Sequence, residues 1–231
     1  MTLARSDEAD YDHRSEYTSS DENQPDVVLM PRRKANSFNN VEKLTVLLVG
    51  NSNAGKSTFI NWLKEREFKE NLRTTLGFVP SLIGAKVRSQ HYIVTLLDTA
   101  GTERFHSVPP NWYRKADGVI VMYDLTDLNS FEHVTTWKHN VEKNCEKDNI
   151  PYILVGNKVD KKCAHIDGSQ VVKDFDMKDY FKTSAVTGEG VDAAINSIIS
   201  LAAETLSNNT KLGTLSLTLH KTKAKRFLQL C

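Results

Sequence analysis

Long apolar runs, a cysteine framework and a surplus of one charge are all missing from this 231-residue sequence. No apolar stretch approaches the ~20 residues that a membrane-crossing helix needs. Three cysteines, Cys145, Cys163 and Cys231, make an odd number without metal-ligand spacing. That argues against a disulfide scaffold or a zinc site and suits a reducing compartment. The chain opens on Arg5, Asp7, Glu8 and Asp10, where a secretory signal would be apolar. A cytoplasmic protein is therefore expected. No internal repeat at solenoid periods is present. The net charge is +1, and no nucleic-acid partner is expected.

What is present is a mixed, globular composition, 39% apolar and 26% charged, with its charge sorted along the chain. Asp7, Glu8, Asp10, Asp12, Glu16, Asp21, Glu22 and Asp26 crowd the start, whereas Lys211, Lys221, Lys223, Lys225 and Arg226 crowd the end without an acid among them. Residues 1–43 read as a disordered acidic extension and residues 208–231 as a flexible basic tail around a domain at 44–207. Within the extension an apolar island, Val27-Val28-Leu29-Met30, precedes Pro31-Arg32-Arg33-Lys34. It reads as part of a solvated tail, with a docking peptide as the sharper alternative.

From residue 44 onward strand and helix signals alternate. Strands are expected at 44–49, 78–87, 91–97, 118–123, 152–156 and 180–183, and helices at 56–67, 129–145, 168–175 and 191–206. Asp127 and Ser130 supply capping side chains to the second helix. Its stripe of Phe131, Val134, Trp137 or the Lys138 stem, and Val141 reads as core packing rather than chemistry. Such alternation implies an α/β fold, a mostly parallel six-stranded sheet covered by helices on both faces. Ligands of such sheets bind beyond the carboxyl ends of the strands.

At the end of the first of these strands stands Gly50-Asn51-Ser52-Asn53-Ala54-Gly55-Lys56-Ser57, which fits G-x-x-x-x-G-K-[ST]. Glycines let the backbone close on a polyphosphate with its N–H groups inward. The helix that follows adds partial positive charge at its N-terminus. Gly50 and Ser52 through Thr58 are the candidate phosphate contacts, Lys56 reaching the β- and γ-phosphates and Ser57 binding Mg²⁺. Four more clusters fall at strand ends: Thr74-Thr75-Leu76-Gly77, Asp98-Thr99-Ala100-Gly101-Thr102-Glu103-Arg104, Asn157-Lys158-Val159-Asp160 and Thr183-Ser184-Ala185. Singly they are common; their order and spacing together are not.

With these motifs, residues 44–206 resemble the Ras superfamily of small GTPases, and most closely its Rab branch. Asp98-Thr99-Ala100-Gly101-x-Glu103-Arg104-Phe105, Trp112-Tyr113-Arg114 and Tyr123-Asp124-Leu125-Thr126-Asp127 carry the Rab flavour. The resemblance implies a three-layer P-loop NTPase that binds GTP/GDP with Mg²⁺. It implies that Asp160 accepts from the guanine ring and so selects guanine over adenine. Asn157 would tie the base to the phosphate loop, the Lys158 stem would cover the base, and the Ala185 N–H would bond the guanine carbonyl while Ser184 holds that loop. Phe68 is a candidate for the base edge, with a core aromatic as the alternative. Thr75 would complete the Mg²⁺ shell beside Ser57, with Asp98 behind it, and the Gly101 N–H would meet the γ-phosphate. Lys56, Gly101 and Thr102 are the candidate catalytic set.

The chain also departs from that family. Thr102 stands where a water-orienting glutamine is usual, and a short hydroxyl lacks the amide's paired donor and acceptor. Slow intrinsic hydrolysis is expected. Pro80, Leu97 and Trp112 replace the usual aromatic triad, so unusual effectors are expected. Val186 replaces a lysine after Ser-Ala, which predicts faster nucleotide exchange. A single terminal Cys231 matches neither common prenylation pattern; with the basic tail it is the candidate for peripheral attachment to the cytosolic face of an intracellular membrane. The implied partners are an exchange factor, an activating protein and effectors, met through residues 68–80 and 98–114, with the protein itself a monomer. The expected role is a switch in vesicle traffic; the alternative is a GTP-binding signalling or interaction module with negligible hydrolysis.

Overall fold

Neighbouring residues of the central strands point into different cores, and that alternation organises the whole domain. The computed structural model describes residues 27–31, 38, 40–68, 78–99, 110–147, 149–163 and 165–228. Seven strands, β1 (Val27–Met30), β2 (Val41–Val49), β3 (Phe78–Val87), β4 (Gln90–Thr99), β5 (Gly118–Asp124), β6 (Tyr152–Asn157) and β7 (Asp179–Thr183), form one sheet in the order β1-β3-β4-β2-β5-β6-β7. The helices are α1 (Lys56–Glu65), α2 (Pro110–Tyr113), α3 (Leu128–Glu132), α4 (Val134–Asn144), α5 (Ser169–Asp174) and α6 (Val191–Leu228). Pairings from β4 through β2 and β5 to β7 are parallel; β3 with β4 and β1 with β3 are antiparallel.

In β2, Val46 and Leu48 join a core that α1 and α6 close with Phe59, Ile60, Ala194, Ile195 and Ile198. Leu47 and Val49 join the opposite core, which α4 closes with Val134 and Val141. Strands buried on both faces read as continuous apolar runs for this reason. Each fully buried Leu, Ile or Phe contributes about 1.5–3 kcal/mol, so the central strands are the rigid base from which the loops at their carboxyl ends project. The chain runs from β2 to one side for β3 and β4 and returns to β5 on the other. The reversal opens a crevice beyond the carboxyl ends of β2 and β5, the place for a ligand in such sheets.

The architecture is the expected α/β sandwich, with corrections in detail. The sheet has seven strands rather than six, because Val27-Val28-Leu29-Met30 pairs with Val87-Lys86-Ala85-Gly84 as an edge strand. Its β-branched and aliphatic residues suit that position, and Val27 is buried. These residues and the start of β2 at Val41 fall inside the segment assigned to a disordered extension. Pro31 lacks a backbone donor and ends the strand. Pro80 sits beyond the end of β1, paired only with Leu97 of β4, an edge position that tolerates proline. The helix expected over 129–145 is two helices, broken at His133 (φ −81, ψ −4). Helix α6 continues to Leu228, through the stretch expected as a flexible tail. No described helix is long and apolar enough to cross a membrane.

Candidate nucleotide-binding site

The loop between β2 and α1 is held open as a cradle by residues that avoid ordinary backbone angles. Gly50 has φ +145, and a Cβ there would lie 2.0 Å from the carbonyl oxygen of Met122 on β5. Gly55 has φ +98, and a Cβ there would meet Asn157 Nδ2 at 2.1 Å. Between them Asn53 takes φ 63, a left-handed angle that asparagine accepts at little cost. Ser52 and Asn53 are exposed at the lip, Ala54 is buried, and Thr58 is half-buried in the first turn of α1. No side chain caps that helix and no acid lies in its first turn, so the positive end of its dipole faces the cradle. The Lys56 ammonium donates to the carbonyls of Gly50 (2.7 Å) and Asn51 (2.9 Å), a brace across the loop. A polyphosphate fits this setting: backbone that closes only with glycine, a helix start and a buried cation.

The donor set also fits Mg²⁺. Ser57 Oγ donates to Asp98 Oδ2 at 2.5 Å. A hydroxyl that gives its proton to a carboxylate keeps its oxygen as acceptor, the form in which it binds a hard cation. Asp98 thus stands directly behind the Ser57 hydroxyl. Thr75, Gly101 and Thr102 lie outside the described residues.

The base-recognition motif is assembled around one buried carboxamide. Asn157 Nδ2 donates to the Ala54 carbonyl at 2.9 Å, while Asn157 Oδ1 accepts from Thr183 Oγ1 and from the Ala185 N–H, both at 3.1 Å. The end of β6, the phosphate loop and the end of β7 are thereby joined through a single side chain. Ser184 does a similar task next to it. Its hydroxyl donates to Asp160 Oδ1 at 2.5 Å and accepts from the N–H groups of Val186 (3.2 Å) and Thr187 (3.1 Å). Asp160 is exposed and so faces out of the fold with its orientation fixed. The Ala185 N–H, expected to bond a guanine carbonyl, is directed here at Asn157. Phe68, just past α1, is 42% exposed, which removes its reading as a core aromatic. Leu97 is fully buried in the α4-side core, so of the three positions assigned to the effector surface only Pro80 and Trp112 are accessible.

Lys158 has φ 71 and its ammonium meets Asp124 Oδ2 at 2.9 Å. Lys161 approaches the same oxygen at 3.3 Å, and Thr126 donates to Asp124 Oδ1 through its N–H (2.9 Å) and hydroxyl (2.8 Å). Burial pushes the Asp124 carboxyl upward, but the Lys158 ammonium and the Thr126 donors outweigh it and hold the group down at about 2. This anchor was not singled out from sequence, although Asp124 lay within the Rab-like motif. Missed entirely was a second one. Trp137 Nε1 donates to Asn51 Oδ1 at 2.8 Å, and Asn51 Nδ2 lies 2.9 Å from His133 Nδ1. The helical stripe marked Trp137 as core packing; its indole also reaches the phosphate loop.

Comparison with known proteins agrees with this geometry. A model of the Ras family matches residues 45–204. The zebrafish (Danio rerio) Ras-related protein Rab-18-B is 30% identical over 165 residues, 70% of this chain and 80% of its own length. The Arabidopsis thaliana Ras-related protein RABE1e is 31% identical over 176 residues, 74% of this chain and 79% of its own. The zebrafish Ras and EF-hand domain-containing protein is 36% identical over 126 residues, 54% of this chain, which spans 19% of that larger protein.

Proposed function

This chain belongs to the Ras family as a Rab-like small GTPase, and on that premise we propose that it is a GTP/GDP switch in intracellular membrane traffic that hydrolyses GTP slowly by itself. The observation that carries the guanine-nucleotide reading is Asn157, bonded at once to the phosphate loop and to the loop behind Asp160. One buried side chain makes the base site and the phosphate site a single unit. Asp160, fixed by Ser184, accepts from the guanine ring N–H and exocyclic amine. Adenine cannot supply that donor pair, and leaving a carboxylate unsatisfied penalises the wrong base.

In this reading Lys56 and the start of α1 bind the phosphates, and Ser57, Thr75 and Asp98 hold Mg²⁺. When bound, the ion neutralises charge on the β- and γ-phosphate oxygens. Hydrolysis joins a water oxygen to the γ-phosphorus and breaks its bond to the β–γ bridging oxygen, giving GDP and inorganic phosphate. The Gly101 N–H meets the γ-phosphate, and Thr102 replaces the amide that would orient the water. The third phosphate orders the segments around Thr75 and Gly101, through which an exchange factor, an activating protein and effectors act. The basic stretch before Cys231 is the proposed contact with an anionic membrane surface.

Thr102 also favours a second reading, a GTP-bound interaction module reset by exchange alone. Single-turnover hydrolysis separates the two. Wild type is expected to hydrolyse bound GTP measurably and Thr102→Gln faster; a wild type with no turnover even beside an activating protein supports the module, and equal rates in both proteins remove the role given to Thr102. Competition of GTP against ATP tests the base assignment, and equal competition overturns it.

A further inference from the structure

The amide of Asn51 lies buried between an indole and an imidazole, and its two bonds determine each other. An indole N–H only donates, so the amide atom facing Trp137 Nε1 at 2.8 Å is the oxygen. The NH₂ group therefore faces His133 Nδ1 at 2.9 Å, and that nitrogen has to be the acceptor, with the imidazole neutral and its proton on Nε2. Asn51 is 4% exposed, so water does not readily replace either bond. The partners lie on either side of the helix break: His133 ends α3 and caps α4, and Trp137 lies one turn on, its backbone N–H bonded to the His133 carbonyl at 2.9 Å. The Asn51 carbonyl also accepts from the Lys56 ammonium at 2.9 Å. Movement of Asn51 therefore moves the lysine that the phosphates meet.

We propose that Asn51, His133 and Trp137 form a positioning clamp on the phosphate loop, closed when His133 is neutral and opened when it takes up a proton, so that bound nucleotide is released faster on acidification. A protonated imidazole donates from both nitrogens. It then meets the Asn51 NH₂ donor to donor; flipping the amide repairs that contact but turns the NH₂ onto the indole N–H. No orientation of Asn51 satisfies both partners. The charged groups on the elements that meet at His133 have other partners or stand in solvent. Lys56 is bonded to the loop carbonyls, the Asp127 carboxylate to the Asn129 N–H, Lys138 to Glu142, and Glu132 is exposed. None of the described residues forms an ion pair with His133.

The inference rests on the proposed nucleotide site, and its test uses two readouts so that the two can fail separately. Fluorescent GDP is loaded onto the full chain and its release chased with unlabelled GDP between pH 7.5 and 5.5. In wild type, release is expected to quicken about fivefold relative to His133→Gln, the ratio given by one lost hydrogen bond of about 1 kcal/mol. His133→Gln keeps an acceptor for the Asn51 NH₂, does not titrate, and carries the nucleotide's own pH dependence as the baseline. Asn51→Asp reverses the sign. Its carboxylate accepts from the indole and from a protonated His133, so acidification slows release. Asn51→Ala releases fast at every pH. The second readout is the Trp137 indole proton in NMR spectra of nucleotide-free protein, expected to shift on acidification in wild type and to stay in place in His133→Gln. Equal pH slopes in wild type and His133→Gln, or a slope of unchanged sign in Asn51→Asp, overturn the clamp. A titrating indole signal in a protein that binds no GDP overturns the proposed function instead, and with it the link from clamp to nucleotide.

Discussion

Replacing Asn157 with alanine tests the claim that one carboxamide joins the base and phosphate sites. In the structure it serves three partners: the Ala54 carbonyl, the Thr183 hydroxyl and the Ala185 N–H, at 2.9, 3.1 and 3.1 Å. All lie at positions no more than 2% exposed. An intact bond of this kind adds only about 1 kcal/mol net, but a buried group left unsatisfied costs ~1–3 kcal/mol. Water entering the vacated space recovers part of this, so Asn157→Ala should cost about 3 kcal/mol. At about 2–4 °C per kcal/mol for a domain of this size, the midpoint of thermal unfolding falls by roughly 6–12 °C without nucleotide. Thr183→Val, of similar shape, removes only one of the three bonds and should cost about 1 kcal/mol. GDP supplies the second axis. Ligand stabilisation follows RT ln(1 + [L]/Kd), so each tenfold loss of affinity subtracts about 1.4 kcal/mol from the nucleotide-induced shift. Asn157→Ala should lose at least that much, because its loop is no longer held for the phosphates. Thermal melts of both variants, with and without saturating GDP, decide the matter. A loss in Asn157→Ala no larger than in Thr183→Val, or an undiminished GDP shift, would refute the joint.

Three other perturbations have definite signs. Gly50→Ala puts a methyl 2.0 Å from the Met122 carbonyl oxygen at φ +145; since the obstacle is backbone of a central strand, a loss of about 3 kcal/mol or more in chemical denaturation is expected. Asp124, held down at about 2, contributes stability that is full above the ordinary carboxylate range near 3.8 and fades as pH falls through about 2. Wild type should therefore lose on the order of 1–2 kcal/mol more than Asp124→Asn between pH 5 and 2, after allowing for solvent screening; parallel denaturation curves at both pH values would contradict this. Val186 is 39% exposed on the loop after β7, so Val186→Lys should leave the melting point within a few degrees yet slow fluorescent-GDP release, and an unchanged release rate removes the role given to that position.

The sequence was most legible where local pattern and tertiary role coincide. Strand β5 is buried along its whole length and reads as an unbroken apolar run, and Gly50 and Gly55 stand where only glycine fits. Legibility failed where a short segment depends on a distant partner. Four residues of β1 carry no period long enough to distinguish a strand from a tail; what makes them a strand is the free flank of β3. The break at His133 was hidden because the apolar stripe continues through it from Phe131 to Trp137, both packed on the same core. Asn51 and Trp137 lie 86 residues apart, and no local spacing links an asparagine in a loop to a tryptophan on a helix.

These failures share a cause that bears on how the site works. Described residues at the base and phosphate loops are held by side-chain bonds that link separate elements: Asn157 from β6 to the backbone of the loop after β2, Asn51 from that loop to the Trp137 side chain of α4, Lys158 to the Asp124 side chain at the end of β5. All three bonds are between groups of the protein itself, so the floor of the cradle is tied directly to the sheet and to α4. In the proposed function this floor serves GDP and GTP alike, so it cannot by itself report which nucleotide it holds. The proposed function assigns discrimination between two phosphates and three to the segments that carry Thr75, Gly101 and Thr102. Exchange of all three residues for alanine should therefore leave GDP affinity within about tenfold of wild type while abolishing any preference of an effector for the GTP-loaded form. Titrations with GDP and with a non-hydrolysable GTP analogue measure both. A collapse of GDP binding in that variant would show that those segments build the cradle rather than read its contents.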